Sequence, residues 1–148
     1  MQELKSKAKE WIEKLRKTTQ LFLDLPHDIE LPNSWGKKEL AIHFLGWDEV
    51  MIGYAKEIKA GKPFIWDEFF QGDIDETNKR FLDEHKNLTQ EETVDKFKQV
   101  RSKILNIYEE ILENYFQDDK RILDYYAMWG HDVHHLKQAG VNTQEIEN

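Results

Sequence analysis

The sequence predicts an all-α protein, a four-helix bundle with one additional short helix. Apolar residues recur three and four positions apart over four long stretches of the chain. The apolar and polar alternation of a strand never persists, and no internal repeat or low-complexity tract is present. The length of 148 residues suits one domain covering residues 1–148.

The first helix is predicted over about residues 2–23. Its apolar face consists of Leu4, Ala8, Trp11, Ile12, Leu15, Thr19 and Phe22. A connection follows, because Pro26 and Pro32 cannot continue a helix and bias the residues before them towards extended conformations. Asn33 or Ser34 is then placed to cap the next helix.

The second helix is predicted over about residues 35–60, and Gly61 followed by Pro63 ends it. Its apolar stripe contains Leu40, His43, Phe44, Trp47, Met51 and Ile58. The aromatic segment "KPFIWDEFFQGD" has no sustained period, so we expect an irregular loop that is a candidate cover for a cavity. A short helix is predicted next, at residues 74–86.

The third long helix begins at a capping box, in which Thr89 caps and Glu92 reaches back. A long apolar seam follows, formed by Val94, Phe97, Val100, Ile104, Ile107, Tyr108, Ile111, Leu112 and Tyr115. The last helix is predicted from Asp118 or Asp119 to Gly140, which is placed as a C-terminal cap. Residues 141–148 are expected to form a polar tail.

Composition excludes several classes of function. The net charge is −8 and basic residues alternate with acidic ones, whereas a nucleic-acid surface needs clustered positive charge. The absence of cysteine excludes disulfides, thiolate metal sites and a cysteine nucleophile. Neither a signal peptide nor a long apolar segment is present, so we expect a soluble cytoplasmic protein without membrane contact.

The stretch "GHDVHHLKQ" at residues 130–138 contains half of the six histidines. Residues four apart share a helix face, so His131 and His135 can point at one ion, while His134 is turned partly aside. Two imidazoles are an incomplete site, because zinc normally takes at least three protein ligands. His43 is the best third candidate, since it lies within an apolar helical stripe.

Other interpretations of these residues stay open. His43 is also consistent with a hydrogen-bonded core histidine, and the pair in the last helix lacks the glutamate that makes H-E-x-x-H specific. Asp48, Glu49 and Asp132 are most simply solvated groups, or carboxylates that orient a ligand histidine. The tryptophans at positions 35, 47, 66 and 129 are most simply packing residues rather than cofactor-stacking ones.

Two motifs resemble a known family. In residues 34–49, "SWGKKELAIHFLGWDE", Trp35 is followed by His43 and Trp47 at the spacing found in the second helix of the DinB/YfiT-like four-helix bundles. The last helix resembles that family's H-x-x-H-H-x-x-Q pattern, with His131, His134, His135 and Gln138. Residues 73–97, including Asn78, are similar to the family's segment between the second and third bundle helices.

The resemblance implies a bundle of the DinB/YfiT type whose metal ligands are His43, His131 and His135. We expect a divalent ion, Zn or Ni first, with Fe and Mn as further candidates. The resemblance and the motifs also place four residues beside the ion or in the substrate pocket, namely His134, Asp48, Trp47 and Gln138. No general base is assigned, although Asp48, Glu49 and His134 are near enough in the motifs to be tested.

The implied function is that of a metal-dependent enzyme acting on a small molecule, either a hydrolase or a transferase of a low-molecular-weight thiol. The alternative is a non-catalytic bundle for ligand binding, stress or self-resistance, with a structural metal or none. Leu136 and Lys137 stand where many members have Arg-Gly, and Gly36 replaces the usual Ser or Thr. Relatives in the ClbS/DfsB branch include changed ligand sets, so similarity of fold does not guarantee chemistry. A homodimer is also expected from the family.

Overall fold

The computed structural model describes residues 1–148, and it is helical with no strand. The helices are α1 (Gln2–Leu23), α2 (Lys37–Gly53), α3 (Ala55–Lys59), α4 (Trp66–Phe69), α5 (Ile74–His85), α6 (Gln90–Asn114), α7 (Ile122–Tyr125), α8 (Met128–Gln138) and α9 (Gln144–Glu147). None of them is both long enough and apolar enough to cross a membrane. The all-α prediction is confirmed.

The five longer helices, α1, α2, α5, α6 and α8, surround the core. α2 packs along α6 and against α5, whereas α1 packs against α6 and α8. The apolar interior forms two clusters, one around Ile12, Ile104 and Tyr108 and the other around Phe44 and Leu136. Phe44 and Leu136 are neighbours in sequence of two of the predicted ligand histidines, so the second cluster fixes the parts of α2 and α8 that carry them.

Helices with strong local signals lie where the sequence predicts them. α1 covers the predicted residues, and α5 ends one residue before the predicted boundary. At the start of α6, the Thr89 hydroxyl accepts from the Glu92 backbone N–H at 3.1 Å. The Glu92 carboxylate in turn accepts from the Thr89 backbone N–H at 3.0 Å, which completes the predicted capping box.

Two predicted helices are interrupted. The helix predicted at residues 35–60 is divided into α2 and α3 at Tyr54, and the last helix is divided into α7 and α8 at Tyr126 and Ala127. Hydrogen bonds from distant tyrosines coincide with both interruptions. The Tyr125 hydroxyl donates to the Met51 carbonyl at 2.6 Å, and the Tyr108 hydroxyl donates to the Tyr125 carbonyl at 2.6 Å. Carbonyls engaged in this way favour a tightened turn over a continued helix.

The prediction that Asn33 or Ser34 caps α2 is wrong. The capping position is Gly36, and its backbone N–H donates to the Glu39 carboxylate at 2.8 Å. The Asn33 side chain accepts instead from the Trp35 backbone N–H at 3.1 Å. Ser34 adopts φ 70°, in the left-handed region, and serves the turn before the helix.

Two segments predicted to be irregular contain short helices. The aromatic segment after Pro63 includes α4, and the expected polar tail includes α9. Ile146 is only 4% exposed, because α9 folds back against α1. Ile146, together with hydrogen bonds from Thr143 and Lys137 to Glu147, thus anchors this polar stretch.

Candidate metal centre

Helices α2 and α8 bring three imidazoles together. His43 comes from α2, and His131 and His135 come from adjacent turns of α8. One ring nitrogen of each lies within 4.8 Å of the other two. The Nε2 atoms of His43 and His131 are 3.0 Å apart, although 88 residues separate them in sequence.

Aromatic neighbours hold the three rings in place. The Phe44 ring lies edge-on to His131 and His135, with centroids 5.8 and 5.9 Å away. The Trp35 ring lies 5.2 Å from that of His43 and is stacked at 6.5 Å on that of His135. The tryptophan at the start of the second-helix motif therefore contacts imidazoles from both helices.

Two of the three imidazoles each have a buried ring nitrogen without a hydrogen-bond partner. The Nδ1 atoms of His43 and His131 are buried with no partner. Their Nε2 atoms face each other, so at most one of the two can be a donor in that pair. In a core histidine that serves only structure, both ring nitrogens would be hydrogen-bonded. His43 and His131 each have one ring nitrogen that is not.

Burial keeps these rings uncharged. Burial, together with the neighbouring imidazoles, lowers the pKa of His43 to about 3. The pKa of His131 is also lowered to about 3, chiefly by burial. Burial lowers the pKa of His135 as well, against an opposing hydrogen bond to Gln138. At neutral pH all three side chains are neutral imidazoles, the form that binds metals.

The donor set fits a divalent ion. In a tetrahedral zinc site the Zn–N bonds of about 2.0–2.1 Å place ligand nitrogens roughly 3.3 Å apart. The His43 to His131 separation of 3.0 Å is close to that value, and no separation exceeds 4.8 Å. Small ring rotations would bring the third nitrogen in. Three imidazoles also leave a coordination position for a substrate or water.

A buried ion-pair network lies behind the imidazoles. Arg101 in α6 donates to Asp48 in α2 at 2.7 and 3.2 Å. The same guanidinium donates to Asp132 in α8 at 2.6 and 3.1 Å, and the Thr18 hydroxyl in α1 also donates to Asp132. Asp132 directly follows His131, so this network fixes the two ligand-bearing helices relative to each other.

The network corrects the simplest interpretation of Asp48 and Asp132 as solvated groups. Both side chains are fully buried, because one guanidinium compensates for two carboxylates. Burial raises the pKa of Asp48 to about 6, against the attraction of Arg101, so at neutral pH its carboxylate is ionised. Sequence reasoning missed Arg101, although its place four residues after Phe97, within an apolar seam, was a usable signal.

The remaining predicted residues lie at different distances from the imidazoles. Gln138 is exposed, and its Oε1 lies 2.9 Å from His135 Nδ1. His134 is exposed on the outer side of α8, with its ring centroid 5.1 Å from that of His135. Trp47 is buried, and its indole N–H donates to Asn78 at 2.7 Å. Glu49 is exposed and lines a separate depression next to α5.

The imidazoles open into a cavity of about 370 Å³. His43 and His131 form part of its wall together with Trp47 and Asn78. Phe64 and Trp66, from the aromatic segment that was the candidate cover, also line it. A small molecule in this cavity would lie beside His43 and His131.

Comparisons with known proteins gave no match to a family model, to a curated protein or to a solved structure.

Proposed function

We propose that this protein is a four-helix bundle of the DinB/YfiT type that binds one divalent metal ion through His43, His131 and His135. The observation that carries the proposal is the convergence of three neutral imidazoles, two of them with buried nitrogens that have no hydrogen-bond partner. Zinc and nickel are the first candidates, with iron and manganese next, because imidazole suits several first-row metals.

Gln138 supports this assignment of ligands. Its Oε1 is placed to accept a hydrogen bond from His135 Nδ1, which directs the lone pair of Nε2 towards the other two rings. The buried Asp48–Arg101–Asp132 network does not contact the ion, but it keeps α2 and α8 at the separation that the site needs. The proposed ligands are thus held by packing and hydrogen bonds before an ion arrives.

We further propose that the protein is an enzyme acting on a small molecule, by hydrolysis or by transfer of a low-molecular-weight thiol. A divalent ion bound here would supply Lewis acidity, to activate water or a thiol or to polarise a carbonyl. The cavity beside the imidazoles supports the proposal, since it offers a largely apolar place for a substrate next to His43 and His131. A thiol would come from outside the chain, which has no cysteine.

One observation favours a binding protein as the second candidate. The carboxylate oxygens of Asp48 and Asp132 are engaged by Arg101, so neither is free to take a proton from a substrate. The exposed side chains of Glu49 and His134 lie outside the cavity lining. The carboxylate that lines the cavity, Asp124, belongs to α7 rather than to the turns that carry the imidazoles. No free acid or base thus lies next to the imidazoles, as expected for a protein that binds a ligand without turnover.

Titration of the chelator-treated protein with Zn²⁺ and Ni²⁺ tests the metal site. We expect one ion per chain, and a loss of affinity of at least about a hundredfold in His43→Ala and in His135→Ala, since even outer partners of ligands contribute 10- to 100-fold. His134→Ala is the matched control, because this neighbour of His135 is on the same helix but points outwards. Equal affinities in all four proteins would refute the site.

Turnover distinguishes the enzyme from the binding protein. The metal-loaded protein is assayed with ester, amide and thiol-transfer substrates against the same concentration of free metal. An enzyme gives rates above free metal that disappear in His43→Ala. A protein that binds metal and shows no such rate with any substrate is the non-catalytic alternative.

A further inference from the structure

The lining of the cavity beside the imidazoles differs chemically from one end to the other. His43, Trp47 and Met51 line it from α2 at intervals of four residues, so they follow one helix face. From α7 and α8 the lining residues are Asp124, Met128 and His131. His43 and His131 meet at one end, and Met51 lies about 12 Å from His43 along α2, since eight helical residues separate them. The Tyr125 hydroxyl donates to the Met51 carbonyl, which places Asp124 at the same far end.

The walls between these ends are apolar and aromatic. Trp47 and Trp66 face each other obliquely, with ring centroids 6.0 Å apart and an angle of 54° between the planes. Phe64 is 2% exposed and packs on Tyr125 at 5.4 Å, so this wall is firmly supported. Trp66 is stacked on Phe70, with centroids 5.0 Å apart. Such rings favour a flat apolar body over a flexible polar one.

The cavity lining carries negative charge and no positive charge. Asp124 is the charged residue of the lining, and no lysine or arginine contributes to it. Arg121, the basic residue nearest to Asp124 in sequence, is paired with Asp119 at 2.6 Å. A cation bound in the cavity would gain from the Asp124 carboxylate and from the indole faces, whereas an anion would meet an uncompensated negative charge.

We propose that the cavity binds an aromatic amine, with its ring packed against the indoles of Trp47 and Trp66 and its ammonium group towards Asp124. That this ligand is the substrate rests on the proposed function, since its far end would then lie at the metal ligands. The cavity volume of about 370 Å³ accommodates a bicyclic ring system with a short side chain. A low-molecular-weight thiol, if used, is then the second reactant rather than the occupant of this cavity.

Three probes with the same ring and different charge test the proposal on metal-free protein. They are 2-naphthylmethylamine, 2-naphthylmethanol and 2-naphthoate, and their affinities are measured by ligand-observed NMR titration at neutral pH. We expect the amine to bind about fivefold tighter than the alcohol, the size of a partly exposed charge pair, and the carboxylate to bind weakest. Equal affinities of amine and alcohol, or tightest binding of the carboxylate, would overturn the proposal.

Two variants locate the binding. Asp124→Asn should remove the preference for the amine over the alcohol, while Asp95→Asn, an exposed change on a helix outside the lining, should keep it. Ala127→Phe should fill the cavity and weaken binding of all three probes at least about tenfold, whereas the exposed Ala60→Phe should not. An unchanged preference in Asp124→Asn places the amine elsewhere and refutes the assignment.

The metal titration keeps the two proposals separate. Zinc binding without naphthyl binding refutes the cavity ligand and leaves the metal site standing. Naphthyl binding with the predicted charge order but no zinc binding supports the cavity ligand and refutes the metal function. Ala127→Phe should still bind zinc, because none of the three ligand histidines is changed.

Discussion

Arg101 is the residue on which the buried polar network depends. Its side chain is 1% exposed and lies between Asp48 and Asp132, which are completely buried. One positive charge between two carboxylates is stable only while every hydrogen bond is kept, because unpaired buried charges are costly. The guanidinium also lies over the Phe97 ring at 4.8 Å, which adds a cation–π contact.

Replacing Arg101 should therefore destabilise the protein strongly. We expect Arg101→Met to lower the free energy of unfolding by about 3–5 kcal/mol, because two carboxylates lose their partner in the interior. Chemical denaturation at low temperature measures this change. Adding Asp48→Asn and Asp132→Asn to Arg101→Met should restore part of the loss, since the buried charges are removed together. A loss below about 1 kcal/mol in the single variant would contradict this role.

The low pKa values of His43 and His131 predict a weak dependence of zinc affinity on pH. Three imidazoles with an ordinary pKa of about 6.5 would weaken zinc binding about a thousandfold between pH 7.5 and pH 5.5, as each becomes protonated. With a pKa of about 3, His43 and His131 stay deprotonated over that range and lose affinity only as the pH falls towards 3. We expect a decrease of no more than about tenfold, attributable to His135. A thousandfold decrease would contradict the burial of the ligands.

At the scale of elements, α2 and α5 approach each other closely at Gly46. A Cβ atom at this position would lie 2.3 Å from the Phe81 ring, well inside contact distance. The same approach places the Phe81 ring edge-on to Trp47, with centroids 5.4 Å apart, and brings Asn78 within hydrogen-bonding distance of the indole. The residue without a side chain thus positions one wall of the cavity.

Two glycine substitutions in α2 should differ in their effect on the free energy of unfolding. We expect Gly46→Ala to lower the free energy of unfolding by about 1–3 kcal/mol, because the buried Phe81 ring must move. Gly53→Ala is the matched control, since a Cβ there meets nothing within 4 Å. It should leave stability unchanged or raise it by up to about 1 kcal/mol. Thermal unfolding of both variants measures the difference, and an equal effect would contradict the close approach.

For the whole molecule, periodicity predicted the long helices, because their buried faces recur at the helical spacing. It did not predict the interruptions at Tyr54 and Tyr126, because these coincide with hydrogen bonds from tyrosines far away in sequence. The short helix α9 was missed for a related reason, since its stability depends on tertiary contacts such as the packing of Ile146 and the ion pair between Lys137 and Glu147. Local pattern thus predicts elements better than it predicts where tertiary contacts end them.

The candidate site was likewise predictable from the sequence only in part. The i,i+4 pair His131 and His135 follows from helix geometry alone. His43 could be chosen from the sequence because it is a polar residue inside an apolar stripe, and the structure places its ring beside the other two. Arg101 has the same signature, yet its two carboxylate partners lie 53 and 31 residues away, and no local pattern links them.

The central claim, that three histidines from two helices bind one metal ion, is tested most directly by X-ray absorption spectroscopy of the zinc-loaded protein. We predict Zn–N distances of about 2.0–2.1 Å with scattering from three imidazole rings. The spectrum should be unchanged in His134→Ala and should show fewer imidazoles in His43→Ala. A spectrum without imidazole scattering, or one that His43→Ala leaves unaltered, would contradict the account.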